Sequence, residues 1–98
     1  MKLTWSPLAI ERVSEIAEYI AQDKPNGAEK WVNKIFNLVE RLSEFPESGR
    51  VVPEINNKMF REIVSGNYRI IYKHEKSKIL ILTVRHGKQI LPVEEIKA

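Results

Sequence analysis

Two hydrophobic rhythms follow one another along the chain. Leu8, Ala9, Val13, Ile16, Ala17 and Ile20 recur at helical spacing, with Glu11, Arg12, Glu15 and Glu18 on the opposite side, which predicts a helix over about 7–22. Ser6 and Pro7 supply its start, because a serine hydroxyl accepts from an orphan amide and proline at the first helical position gives up no hydrogen bond. Asp23, Lys24 and Pro25 break the helix, and Asn26 followed three residues on by Glu29 has the form of a capping box. A second stripe of Ala28, Trp31, Val32, Ile35, Leu38, Val39 and Leu42 then predicts a helix running to about Phe45, where Pro46 stops it. Two helices joined this closely form an antiparallel hairpin whose apolar stripes need a cover.

Beyond Pro46 the period shortens. Residues 46–57 hold two prolines, a glycine and paired asparagines and read as a loop. Strands are expected at about 59–64, 68–74 and 78–84, with turns at Ser65-Gly66-Asn67 and at 75–77. Lys2 to Trp5 alternates and reads as a short first strand, and Leu91 to Ala98 as a tail that orders only against a neighbour. The expected architecture is α+β with the order β-α-α-β-β-β, an antiparallel sheet packed on one face by the helical hairpin. Residues 1–98 are expected to form a single domain, since this length supplies one core.

Composition narrows the chemistry. Cysteine is absent and only two histidines occur, so disulfides and thiolate metal sites are excluded, and no metal or other cofactor is expected. No apolar run approaches a membrane span and the N-terminus has no apolar leader core, so a soluble, cytoplasmic protein with no membrane partner is expected. The net charge of +3 is unevenly placed. Residues 1–48 carry 6 Lys+Arg against 8 Asp+Glu, whereas residues 49–98 carry 10 against 5. The basic character therefore belongs to the strand-rich half, which suits an acidic or phosphate-bearing partner.

Within that half, Arg61, Arg69, Arg85, His86 and Lys88 are set among apolar strand residues, and Arg50 lies in the preceding loop. A guanidinium in strand sequence is either solvated, paired, or part of a site. If the helices cover one face, the other is open, and alternation there groups Met59, Arg61 and Ile63, then Arg69, Ile71 and Lys73, then Ile79, Ile81, Thr83 and Arg85. A three-residue loop at 65–67 sets Arg61 and Arg69 on one face; a two-residue loop at Gly66-Asn67 sets them on opposite faces. Converging arginines hold phosphates bidentately and could stabilise a phosphorane if RNA were cut. Pairing of each arginine with a carboxylate such as Glu54 or Glu62 is the commoner outcome. His86 is expected to make a structural hydrogen bond, and Tyr68, Tyr72, Trp5 and Trp31 to be core aromatics. Candidate proton acceptors are His74, His86, Glu54, Glu62, Glu75 and a lysine of lowered pKa, with no pairing standing out.

The helical hairpin, then F-P-x-x-G-R-x-V-P-E over Phe45 to Glu54, R-E-I-V-x-G-N-Y-R-I-I-Y over Arg61 to Tyr72 and V-x-H-G-K over Val84 to Lys88 strongly resembles the RelE/ParE superfamily of toxin-antitoxin toxins, which includes ParE-like plasmid stabilisation proteins. The resemblance implies a toxin neutralised by a cognate antitoxin that wraps an amphipathic segment around it and carries the complex to operator DNA. It implies one of two targets: DNA gyrase, inhibited by binding in the ParE-like branch, or the ribosome and its messenger RNA, cut in the RelE-like branch. By similarity Arg69 stands at a catalytic arginine of the nuclease branch. The branch's second arginine falls on Gln89 and no tyrosine follows Tyr72, so the two patterns part there. The reading that follows is a growth-inhibiting toxin that binds gyrase, with Arg50, Arg61, Arg69, Arg85 and Lys88 as the target- or nucleic-acid-binding surface. The alternative is a metal-independent, ribosome-dependent endoribonuclease with Arg69, Arg85 and His86 as catalytic residues.

Overall fold

A computed structural model describes residues 1–87, 89 and 91. Its elements are β1 (Lys2–Trp5), α1 (Pro7–Asp23), α2 (Pro25–Glu40), a 3-10 turn at Arg41–Ser43, β2 (Arg50–Val51), β3 (Phe60–Ser65), β4 (Tyr68–Glu75) and β5 (Lys78–His86). The strands form one sheet in the order β1-β5-β4-β3-β2.

The start of α1 is the one the sequence specifies. Ser6 is the N-cap, its hydroxyl accepting from the Ala9 amide at 3.0 Å. The same hydroxyl donates to the Leu82 carbonyl at 3.0 Å, so one side chain caps the helix and ties it to the sheet. The start of α2 differs from expectation. Helix begins at Pro25 with Lys24 at the cap position and no side-chain cap bond, so the Asn26-to-Glu29 capping box does not form. Proline's fixed φ places Pro25 in the first turn and puts Asn26 inside the helix. The regular helix ends at Glu40, and the Arg41–Ser43 turn carries Leu42 into the core.

The meander β3-β4-β5 is antiparallel as expected, but the sheet as a whole is mixed, because β1 pairs parallel to β5 from Lys2↔Lys78 to Trp5↔Ile81. A meander returns its third strand to the direction of its first, and the incoming β1 joins that strand's free side. The loop after α2 also contributes a two-residue strand, β2, antiparallel to β3.

The two helices cover one face. Ala9, Val13, Ile35, Val39 and Leu42 pack on Ile70, Tyr72, Ile79, Ile81 and Val84, with Trp5, Trp31 and Tyr68 at the margin. The other face is not open. Val52 and Ile55 of the loop, with Leu91, close over Phe60, Ile71 and Leu82 in a second cluster. Leu91 is thus a core residue rather than part of a loose tail; residues 92–98 lie outside the described set. Burying the apolar side chains of both sheet faces is the driving force for drawing the loop across.

Two features decide which strand residues share a face. The β3-β4 hairpin pairs Ser65 with Tyr68, leaving the two-residue loop Gly66-Asn67, and Gly66 has a φ of 57° that suits the first position of such a turn. In the β4-β5 ladder Ile71 faces Thr83 whereas Tyr72 faces Ile81, so Leu82 is an extra, bulged residue. The expected grouping of Ile79, Ile81, Thr83 and Arg85 therefore breaks: Ile79 and Ile81 face the helices, and beyond the bulge Val84 takes that role. No helix among the described residues is long and apolar enough to cross a membrane.

Candidate functional site

Arg69 lies in β4 opposite Val64 of β3, and Glu62, two residues before Val64, shares that face. Arg50 of β2 stands opposite Glu62. This register assembles a chain of four charges. Glu62, whose side chain is fully buried, accepts from Arg69 Nε at 2.6 Å on one oxygen and from Arg50 Nε at 2.5 Å on the other. Arg69 then turns its two terminal nitrogens to Glu54, donating from Nη1 to Oε2 at 2.8 Å and from Nη2 to Oε1 at 2.9 Å. Two guanidinium and two carboxylate groups make the cluster formally neutral. Burying a carboxylate is costly, and the hydrogen bonds from the two arginines offset that cost at Glu62.

Exposure is graded across the cluster. The Arg69 side chain is 9% exposed, Glu54 40% and Arg50 64%. The hydrogen bonds from Arg69 hold the Glu54 carboxyl below the usual carboxylate range, and Glu54, ahead of Glu62, holds the Arg69 guanidinium above its ordinary value. Because the folded value of Glu54 is depressed, its contribution to stability is fully present above its ordinary value of 4.5 and is lost as pH falls through the folded value. We expect Glu54→Gln to be less stable than the parent at pH near neutrality, with the gap closing on acidification below pH 4.5, as followed by urea denaturation across pH. A gap that stays constant into strong acid would contradict the assignment.

The remaining candidates separate. Arg61 pairs with Tyr72 on the helix-facing side, as a two-residue hairpin loop requires, and donates to the carbonyls of Gly49 at 2.9 Å and Lys58 at 3.1 Å. Arg85 stands opposite Arg69 in the β4-β5 ladder and lines a cleft with Arg12, Ile16, Tyr19 and His86 between α1 and the end of β5. The His86 ring packs edge-on against Tyr68 at 5.5 Å, and Tyr68 packs against Trp31 at 5.2 Å, so the histidine ends an aromatic row. Lys88 lies outside the described residues. The structure thus brings Arg50 and Arg69 together through Glu62 and sets Arg61 apart.

One element of the site escaped the sequence reading. The buried Tyr72 hydroxyl donates to the Pro46 carbonyl at 2.8 Å and accepts from the Gly49 amide at 3.0 Å, pinning the loop that delivers Arg50. Burial pushes the Tyr72 phenol up. The signal was present as a glycine beside Arg50, but the tyrosine read only as core.

A helical hairpin on a five-stranded mixed sheet is the architecture that the RelE/ParE superfamily of toxins shares; here Arg50, Arg69 and Glu62 lie on its strands and Glu54 on the loop that crosses it. The family model described as "ParE toxin of type II toxin-antitoxin system, parDE" matches residues 3–91, and the chain belongs to that family. The chain is 35% identical over 92 residues to "Putative toxin Y4kP" of Sinorhizobium fredii, covering 93% of each protein. It is 24% identical over 89 residues to "Toxin RelE2" of Caulobacter vibrioides, covering 91% of this chain and 98% of that protein. Among solved structures it is similar to a chain of "Chromosomal ParDE TA system from P. aeruginosa", with a TM-score of 0.75, 20% identity, and 90% and 97% of the two chains covered; that likeness establishes the fold.

Proposed function

We propose that the protein inhibits growth by binding an essential target, DNA gyrase, in the cytoplasm, and that a cognate antitoxin neutralises it and carries the pair to operator DNA. The observation that carries this reading is the state of Arg69. A nuclease of this fold would need that guanidinium turned toward a scissile phosphate, whereas here its fork is occupied by Glu54 and its Nε by Glu62. Gln89 in place of a second arginine and the lack of a tyrosine after Tyr72 point the same way. Membership of a family described by its parDE module favours the gyrase-directed branch. An antitoxin partner also fits the apolar surface of the hairpin, where Ile10, Tyr19 and Phe36 are 53%, 71% and 41% exposed. Arg50, the most exposed member of the charge cluster, is the first candidate for target contact.

The test is to express the chain under tight control, then assay gyrase supercoiling and messenger RNA integrity in a translating extract. Loss of supercoiling with intact transcripts, reversed by the antitoxin, is the expected result. Cut transcripts with supercoiling untouched would replace this reading with that of a ribosome-dependent endoribonuclease acting through Arg69, Arg85 and His86.

A further inference from the structure

A carboxylate and a phosphate engage the guanidinium fork in the same way, through two parallel N–H···O bonds. Glu54 makes that contact on Arg69, with its two oxygens at 2.8 and 2.9 Å from the two terminal nitrogens. Glu62 holds the inner side of the same guanidinium and also binds Arg50, so the fork is fixed and faces the surface. Pro53, Glu54, Val64, Arg50, Arg69 and Gly87 line the shallow depression in which the contact is made. Without the Glu54 carboxylate, two guanidiniums would share one buried carboxylate, leaving a positive, recessed site of the kind that takes an oxyanion.

The loop presents Glu54 in a fixed geometry. Both the Ile55 and the Asn56 amides donate to the Val52 carbonyl, at 3.1 and 2.9 Å, and Val52 itself is buried in the second core cluster. Pro53 restricts the chain just before the glutamate. A carboxylate tethered so closely competes at a high effective concentration, which an anion in solution must exceed to enter.

We propose that Glu54 is the resident occupant of an oxyanion seat built by Arg69, Arg50 and Glu62, and that it excludes nucleic-acid phosphates from this face of the sheet. Glu54 is then a specificity-determining residue: it leaves the surface available to protein partners and closes it to a phosphodiester. The inference is independent of the gyrase reading, because its test uses only the purified protein and small anions.

Inorganic phosphate is titrated against chloride at matched ionic strength, following the Arg69 Nε–H resonance and the midpoint of thermal unfolding. In Glu54→Ala phosphate should bind about tenfold or more tightly than in the parent. The added change Arg69→Met should abolish the gain. If Glu54→Ala does not fold, Glu54→Gln keeps the loop contact without the charge and should still bind phosphate more tightly than the parent. A parent that takes phosphate as tightly as either variant, with the same movement of the Arg69 resonance, overturns the proposal. So does a folded Glu54→Ala, or in its place a folded Glu54→Gln, that gains nothing. A short single-stranded oligouridylate should follow the same order, and equal binding to parent and variant overturns the exclusion of nucleic acid.

Discussion

Glu62→Ala is expected to lower the stability of the protein by about 3–5 kcal/mol, the range for removing one partner of a buried ion pair. The size follows from what is left behind. Glu62 is 1% exposed and serves two arginines, one of them nearly as buried as itself. Its loss strands Arg69 Nε without an acceptor and takes from Nη2 one of its two carboxylate contacts, while Glu54 reaches only Nη1 and Nη2. Arg50 loses its partner as well, but its exposed head returns to water at little cost. Urea denaturation at neutral pH measures the difference, and a loss below about 1 kcal/mol would mean that water replaces the carboxylate in the folded state. Converting Glu62 and Arg69 together to apolar residues of similar volume should recover much of the loss, because the penalty lies in the unpaired charge.

Gly49→Ala carries the second largest expected effect, about 3 kcal/mol, from overpacking combined with a broken buried hydrogen bond. A Cβ at this position would lie 2.6 Å from the Tyr72 hydroxyl and 2.7 Å from the Glu62 carbonyl. The carbonyl belongs to the sheet backbone and cannot give way, so the loop must move. Movement breaks the Gly49 amide bond to Tyr72 and the Arg61 bond to the Gly49 carbonyl, and it displaces Arg50 next in sequence. Tyr72→Phe removes the nearest of three close atoms, leaving the ring carbon Cε1 at 2.8 Å and the Glu62 carbonyl at 2.7 Å, so the double variant should lose somewhat less stability than the sum of the two single changes. Strict additivity in thermal or chemical unfolding would place the clash elsewhere.

Much of the frame was legible because it is written locally. Ser6, Pro7 and the stripe from Leu8 to Ile20 specify α1 without reference to the rest of the chain, and the three strands of the meander announce themselves by alternation between turn residues. Where local signals compete, the outcome was less legible: Asn26 and Glu29 have the spacing of a capping box, yet Pro25 starts the helix ahead of them. The parallel partner of β1 was hidden for a different reason, since pairing Lys2 with Lys78 depends on how the whole chain closes. At the site, Glu54 and Glu62 were foreseeable as partners of the arginines, but their assignment was not. It rests on the two-residue turn at Gly66-Asn67, which puts Arg61 and Arg69 on opposite faces, and on a loop crossing that only the second hydrophobic cluster explains. The bulge at Leu82 leaves no mark in the alternation of β5.

The pairing of β1 with β5 also sets an order of events as the chain is synthesised. The first strand and the stripes of both helices are synthesised before the strand that β1 joins and before Ile79, Ile81 and Val84 beneath the helices. Contacts between segments this far apart in sequence are slow to form and cannot be made piecemeal. The core therefore cannot close on a nascent chain that stops short of β5, and a fragment from interrupted translation would present uncovered helices rather than a finished toxin.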